Sequence, residues 1–326
     1  MQDDRIPEQA ASERDTSEET ARLAGLISEL AGLSTEQANP ERGDLDLLPT
    51  LDLVHAMNAE DRRPAEAVAA QAERIAEAVD GITARFRQGG RLIYIGAGTA
   101  GRVGVLDASE CPPTFGTDPG MVVGLIAGGD VAIRSAVEDA EDDDRAAAES
   151  LRALDLGADD TVVGISASGR TPYVLGGLAY ARSVGALTVA LAANPGSAIG
   201  AAADIPIEVV VGPEFVTGST RLKAGTAQKL VVNMLSTLSM IRLGKTYRGV
   251  MVDLRATNEK LRARSVRTLI QLTGAAQDDA VRALTEADGS VKLALLMLFT
   301  GASADAAAPA LRAANGILRE AVTGLS

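Results

Sequence analysis

The chain of 326 residues has one cysteine, one histidine, no tryptophan and only 2 % aromatic residues. The lone Cys111 excludes an intramolecular disulfide and with it the framework of a small secreted domain. With His55 as the sole imidazole, no His- or Cys-based zinc site can be assembled, and any Ser-His or Cys-His dyad must use His55. Cys111 reads as a small buried filler, and His55 as a packed or capping residue on a short helix after Leu51 and Val54. Positive charge is scarce as well. The 31 Lys+Arg face 44 Asp+Glu, a net charge of −13, which excludes a nucleic-acid coat and an anionic-membrane binder. No apolar run reaches the roughly 20 residues of a membrane span, and Met1–Asp15 is too polar for a signal peptide.

What the chain does have is 33 glycines, clustered in loops. Five short β-branched runs, Arg91–Ile95, Met121–Ile126, Thr161–Ile165, Ala186–Leu191 and Ile205–Val211, each close on Gly, Asn or Ser. Helical stretches separate most of them. Strands apolar on both faces and alternating with helices predict a doubly wound α/β fold, a five-stranded parallel sheet flanked by helices. Such a sheet binds ligands at the carboxyl ends of its strands, where the Gly/Ser/Thr loops fall here. Before the sheet, Val68, Ala72, Ile75, Val79 and Ile82 predict one long helix over 65–88. After it, Ala224–Arg242 predicts a mostly apolar, buried helix. Residues 1–34 form an acidic tail whose pattern fits one amphipathic helix around Thr20–Leu33. Residues 35–255 read as the main domain and 256–326 as a small helical one. In the latter, Thr273-Gly274-Ala275 recurs as Thr300-Gly301-Ala302, and Ala287-Asp288-Gly289 as Ala314-Asn315-Gly316. Two copies are too few for a solenoid.

Three loops carry the chemistry. The first, Gly96-Ala97-Gly98-Thr99-Ala100-Gly101-Arg102, fits a dinucleotide fingerprint loosely. The acidic residue expected at the end of the next strand is missing, since that strand ends in Ala127-Gly128-Gly129. The plainer reading is an anion site of backbone N–H groups at a helix N-terminus. The second loop, Ser166-Ala167-Ser168-Gly169-Arg170-Thr171, offers three hydroxyls, an Arg and a strand-to-helix turn, which suits a phosphate monoester or, alternatively, a hydroxyl-rich helix cap. In the third, Thr217–Thr226, Ser219, Arg221 and Lys223 precede a helix. In an acidic chain, Arg102, Arg170, Arg221 and Lys223 together make a positive focus, or else cap helices and pair at the surface.

The absence of His and Cys chemistry turns attention to carboxylates. Glu110 stands just before Cys111-Pro112-Pro113, where the helix begun at the first loop is expected to stop. There the helix dipole disfavours its charge and suits a general acid, unless Glu110 is an ordinary solvated residue. Glu141 lies in the acidic run Glu138–Asp144, which reads by itself as a solvated face.

The motifs go further together. The strings Ile93–Thr99, Asp107–Thr114, Gly164–Pro172, Asn194–Ser197, Thr217–Lys229 and Ala256–Leu261 closely resemble the N-acetylmuramic acid 6-phosphate etherases, over about Thr35 to the C-terminus. The resemblance implies the sugar isomerase (SIS) fold, a cytoplasmic homodimer, no cofactor or metal, and no nucleic-acid or membrane partner. It implies a phosphorylated amino sugar as substrate and cleavage of its D-lactyl ether, releasing N-acetylglucosamine 6-phosphate and D-lactate during cell-wall recycling. By motif position Glu110 is the proton donor to lactate and Glu141 the C2 base, with Glu138 a nearby rival. Gly98, Thr99, Arg102, Ser166, Ser168, Gly169, Arg170, Thr171, Ser219 and Lys223 then hold the substrate. One departure is Ala100, where the family commonly has Ser, so a hydroxyl is lost from the first loop. Two other activities share the fold: a non-catalytic sugar-phosphate sensor, and an aldose–ketose isomerase, which has no leaving group at C3.

Overall fold

A computed structural model describes residues 20, 23–25, 27–28, 30–40, 43–137, 139–253 and 259–325. Glu138, most of the acidic tail and the Ala256–Asn258 part of the last motif lie outside the described residues. Among the helices that precede the sheet are α1 (Thr50–Glu60), α2 (Arg63–Ala69) and α3 (Ala72–Arg87). The helix expected over 65–88 is therefore two helices. It breaks at Gln71, whose N–H bonds back to the Val68 carbonyl and whose side chain accepts the Glu208 N–H at 3.3 Å. His55 is exposed on α1 beside exposed Leu51 and Val54, so it is not a packed residue.

Five parallel strands follow: β1 (Leu92–Gly96), β2 (Val122–Ile126), β3 (Thr161–Ser166), β4 (Leu187–Ala192) and β5 (Ile205–Glu208). Their order is β2-β1-β3-β4-β5. β1, β3 and β4 are buried at every residue, which their continuous apolar sequences require. One apolar cluster packs beneath each face of the sheet: α3, α4 (Gly98–Phe115) and α9 (Lys223–Arg242) on one side, α6 (Ala146–Ala153), α7 (Pro172–Ser183) and α8 (Ala198–Ala202) on the other. The short α5 (Gly129–Arg134) follows β2. Strand order reverses between β1 and β3, so their carboxyl-end loops, the first and the second, face one crevice.

α4 runs through Pro112 and Pro113 instead of stopping at Cys111, which corrects the expected boundary. Packing overrides the local preference of the pre-proline residue. Cys111 and Phe115 are sunk in the core, and Asp107 ties α4 to the Tyr94 hydroxyl (2.8 Å), Asn233 Nδ2 (2.6 Å) and Ser236 Oγ (3.1 Å). The helix ends at Gly116, in the left-handed region.

A short hairpin, β6 (Thr246–Tyr247) and β7 (Val250–Met251), leads to five helices: α10 (Glu259–Thr273), α11 (Gln277–Glu286), α12 (Val291–Thr300), α13 (Ala304–Ala313) and α14 (Leu318–Leu325). They share an apolar cluster of their own. The repeat is a repeated helix end. Thr273 and Thr300 each donate to the carbonyl four residues back at 2.7 Å and accept the N–H two residues on.

Candidate functional site

The carboxyl ends of β1 and β3 enclose a cavity of about 250 Å³. Gly98 and Thr99 open α4 at its edge, presenting first-turn N–H groups that have no intrahelical acceptor. Ser166, at the end of β3, is a hydroxyl hub. Its Oγ lies 2.8 Å from Thr171 Oγ1 and 3.3 Å from Ser168 Oγ, and accepts the Gly169 N–H at 3.0 Å. Two helix N-termini, α4 and α7, thus converge with three hydroxyls on one space. That combination favours a phosphate.

Glu141 reaches the same cavity, although its sequence context marks it only as part of an acidic run. Its loop is held from behind: the Tyr173 N–H donates to the Glu141 carbonyl at 3.0 Å. Gly176 of α7 also passes so close that a Cβ there would clash with the Asp144 carbonyl oxygen. Glu141 also lines an adjoining cavity of about 340 Å³, shared with Gly98 and Arg102. Arg102 lines that cavity with its Nε donating to the Ile133 carbonyl at 3.1 Å.

The remaining expected residues lie elsewhere. Arg170 and Arg221 are exposed, and neither they nor Ser219 line the cavity; Thr220 of the third loop and Gln228 of α9 do. Lys223 is fully buried, its Nζ 2.6 Å from Glu60 of α1, so it is an internal ion pair and not a cation facing substrate. The α9 N-terminus is also taken: both oxygens of buried Glu214 accept N–H groups there, from Lys223 and Ala224, at 2.9 Å each. Burial foremost raises the Glu214 carboxyl above its ordinary range, and these two donors act against it. Of the four expected cations Arg102 lines the adjoining cavity, and no lysine or arginine lines the 250 Å³ cavity among the described residues.

Glu110 is exposed on α4 and lines neither cavity. From Gly98 to Glu110 the helix rises about 18 Å, at about 1.5 Å per residue. Since α4 runs back along β1, with Gly104 packed on Tyr94, Glu110 sits toward the opposite edge of the sheet from its own chain's crevice.

Sequence reasoning missed three polar lining residues, Glu36, Thr220 and Gln228. Glu36 comes from the segment before α1, where no periodicity or glycine pattern marks it. Gln228 sits in the apolar run of α9, where its depth in the sequence suggests core.

The family model for the glucokinase regulatory protein N-terminal SIS domain matches residues 74–182, and that for the SIS domain matches residues 137–238. The chain is 63 % identical over 273 residues to the N-acetylmuramic acid 6-phosphate etherase of Streptomyces coelicolor, covering 84 % of this chain and 88 % of that one. To the N-acetylmuramic acid 6-phosphate etherase of Jannaschia sp. it is 57 % identical over 275 residues, covering 84 % and 87 %. To N-acetylmuramic acid 6-phosphate etherase 2 of Vibrio cholerae it is 56 % identical over 272 residues, covering 83 % and 89 %. On this identity and coverage, the chain belongs to the N-acetylmuramic acid 6-phosphate etherase family, within the SIS fold.

Proposed function

We propose that the protein is a carbon–oxygen lyase that cleaves the D-lactyl ether of N-acetylmuramic acid 6-phosphate, by elimination and then hydration, in cell-wall amino sugar recycling. The observation that carries this is the convergence of a hydroxyl and N–H phosphate cradle with Glu141 in one cavity. In the ring-opened sugar the C1 aldehyde acidifies the C2 proton. Glu141 takes that proton, and the lactate oxygen leaves C3 as Glu110 protonates it. Water, deprotonated by Glu110, then adds at C3 of the unsaturated aldehyde, and C2 is reprotonated. Two carboxylates of opposite protonation state suffice.

This assignment needs a second chain, because Glu110 is about 18 Å along α4 from its own chain's hydroxyl and N–H cradle. Leu106, one turn before Glu110 on α4, and Met234, Leu238 and Ile241 of α9 are exposed, on two helices that Asp107 joins through Asn233 and Ser236. A homodimer whose two-fold axis passes near Leu106 would run the two α4 helices antiparallel. It would set the partner's Glu110 against Arg102, beside Glu141. A cytoplasmic location is part of the same proposal, and it rests on the family resemblance.

The test is D-lactate release from N-acetylmuramic acid 6-phosphate in deuterated water. Stoichiometric D-lactate with deuterium at C2 of the product is expected. Phosphosugar binding without lactate would leave a sensor, and C2 exchange without lactate an isomerase-like site; either result overturns the proposal.

A further inference from the structure

Gln228 and Glu36 are unusual among the residues of this cavity. Gln228 is 2 % exposed, and its Nε2 has no hydrogen-bond partner among the described residues. A buried amide donor left unpaired costs about 1–3 kcal/mol unless an acceptor reaches it. It is the kind of atom a site keeps for a ligand.

Glu36 is brought to the cavity by a deliberate route. The segment before it is sewn to three carboxyl-end loops. Ser34 N and Oγ donate to Asn194 Oδ1 at 2.7 and 2.8 Å. Asn194 Nδ2 donates to Thr35 Oγ1 at 3.2 Å and to the Ala167 carbonyl at 2.9 Å. The Gly218 N–H reaches the Thr35 carbonyl at 3.3 Å. Thr35 and Asn194 are buried, so the clasp is rigid and independent of the Glu36 side chain. Its carboxylate lies over Gly218, where a Cβ would come within 2.9 Å of Oε2, and it has no hydrogen-bond or ion-pair partner among the described residues.

The cavity is therefore lined by a residue whose buried, unpaired amide nitrogen can only donate and by a carboxylate that, ionised, can only accept. A phosphate or the lactyl carboxylate would be repelled by Glu36 and Glu141 together, so Glu36 must face a neutral donor. A sugar hydroxyl turns to suit either partner and needs no such fixed pair. A secondary amide, with one fixed N–H and one fixed carbonyl, matches it. We propose that Gln228 Nε2 donates to the carbonyl of the substrate's C2 acetamido group and Glu36 accepts its N–H. The pair would thereby select N-acetylated over plain hexose phosphates. This rests on the reading of the cavity as a phosphosugar site, and not on the etherase chemistry.

The experiment is calorimetric titration of the intact protein with N-acetylglucosamine 6-phosphate and with glucose 6-phosphate. The wild type should bind the acetylated sugar at least about tenfold more tightly. Gln228→Met, of similar volume, should lose about tenfold for the acetylated sugar and little for glucose 6-phosphate, erasing the preference. Its melting temperature should not fall, because a buried unpaired donor is removed. Glu36→Ala should do the same to binding, while Glu36→Gln, which keeps an acceptor oxygen, should restore most of the preference. An undiminished preference in Gln228→Met and Glu36→Ala overturns the proposal, as does equal loss for both sugars. Failure of the wild type to bind either sugar would instead refute the phosphosugar reading. Binding with the preference intact but no lactate release would refute the etherase reading alone.

Discussion

The ammonium of Lys223 and the carboxylate of Glu60 meet at 2.6 Å with both side chains at most 1 % exposed, joining the start of α9 to the end of α1. Arg63 adds a second cation to the same carboxylate at 3.3 Å. This pair and the Glu214 cap fix where the third loop enters α9, and hence where Gln228 points.

Removing one partner leaves a buried charge behind. Glu60→Ala should destabilise the fold by about 3–5 kcal/mol, whereas Glu60→Leu with Lys223→Met should recover most of the loss. Urea unfolding of both variants, compared through their midpoints and slopes, checks this. A double variant no better than the single one would show that the pair is held for geometry and not for charge.

Asp160 gives a pH prediction. Burial raises its carboxyl, but the Arg91 guanidinium and the N–H groups of Gly157 and Arg91 outweigh that and hold it below the ordinary carboxylate range. A lowered folded pKa means that the stabilisation is complete above the unfolded value, about 3.9, and is lost as pH falls through the folded one. Asp160→Asn should therefore cost about 2 kcal/mol at neutral pH and progressively less below about pH 4. Unfolding midpoints of the wild type and variant across pH 3–7 should converge at the acid end.

The sheet was legible in the sequence because β1, β3 and β4 are buried on both faces, and only unbroken apolar runs satisfy that. The Gly/Ser/Thr loops that line the cavity were legible because those residues at strand ends have a local meaning. What tertiary contacts decide was not. The helix through Pro112 and Pro113 depends on Asp107, Cys111 and Phe115 finding partners from other elements. Lys223 looks like a substrate cation until Glu60 is beside it. Glu36 is placed by Asn194, nearly half the chain away, and no local pattern carries that.

The Glu141 loop supplies a positioning prediction. Gly176 approaches the Asp144 carbonyl so closely that any side chain must displace the loop or the helix. Gly176→Ala should shift Glu141 by roughly an ångström and lower kcat by about 10²-fold. Phosphosugar affinity, on the proposal that the Ser166 cluster holds the phosphate, should change little. Parallel loss of kcat and binding would mean that α7 itself, with the Thr171 cap, has moved.

The strongest test of the two-glutamate arrangement uses two inactive proteins. If Glu110 acts across a homodimer interface, Glu110→Gln and Glu141→Gln each abolish lactate release alone. A mixed dimer, however, carries one site with both defects and one with neither. Denaturing and refolding an equal mixture makes about half of the dimers mixed, so about a quarter of the wild-type rate should return. If each chain builds its own site, every site in the mixture keeps one defect and no rate returns. The 18 Å along α4 between Gly98 and Glu110 favours the first outcome. Leu106→Asp, at an exposed position one turn before Glu110, should abolish both the dimer and the complementation while leaving each chain folded. A monomeric Leu106→Asp variant that retained full lactate release would show that Glu110 acts within its own chain or not at all.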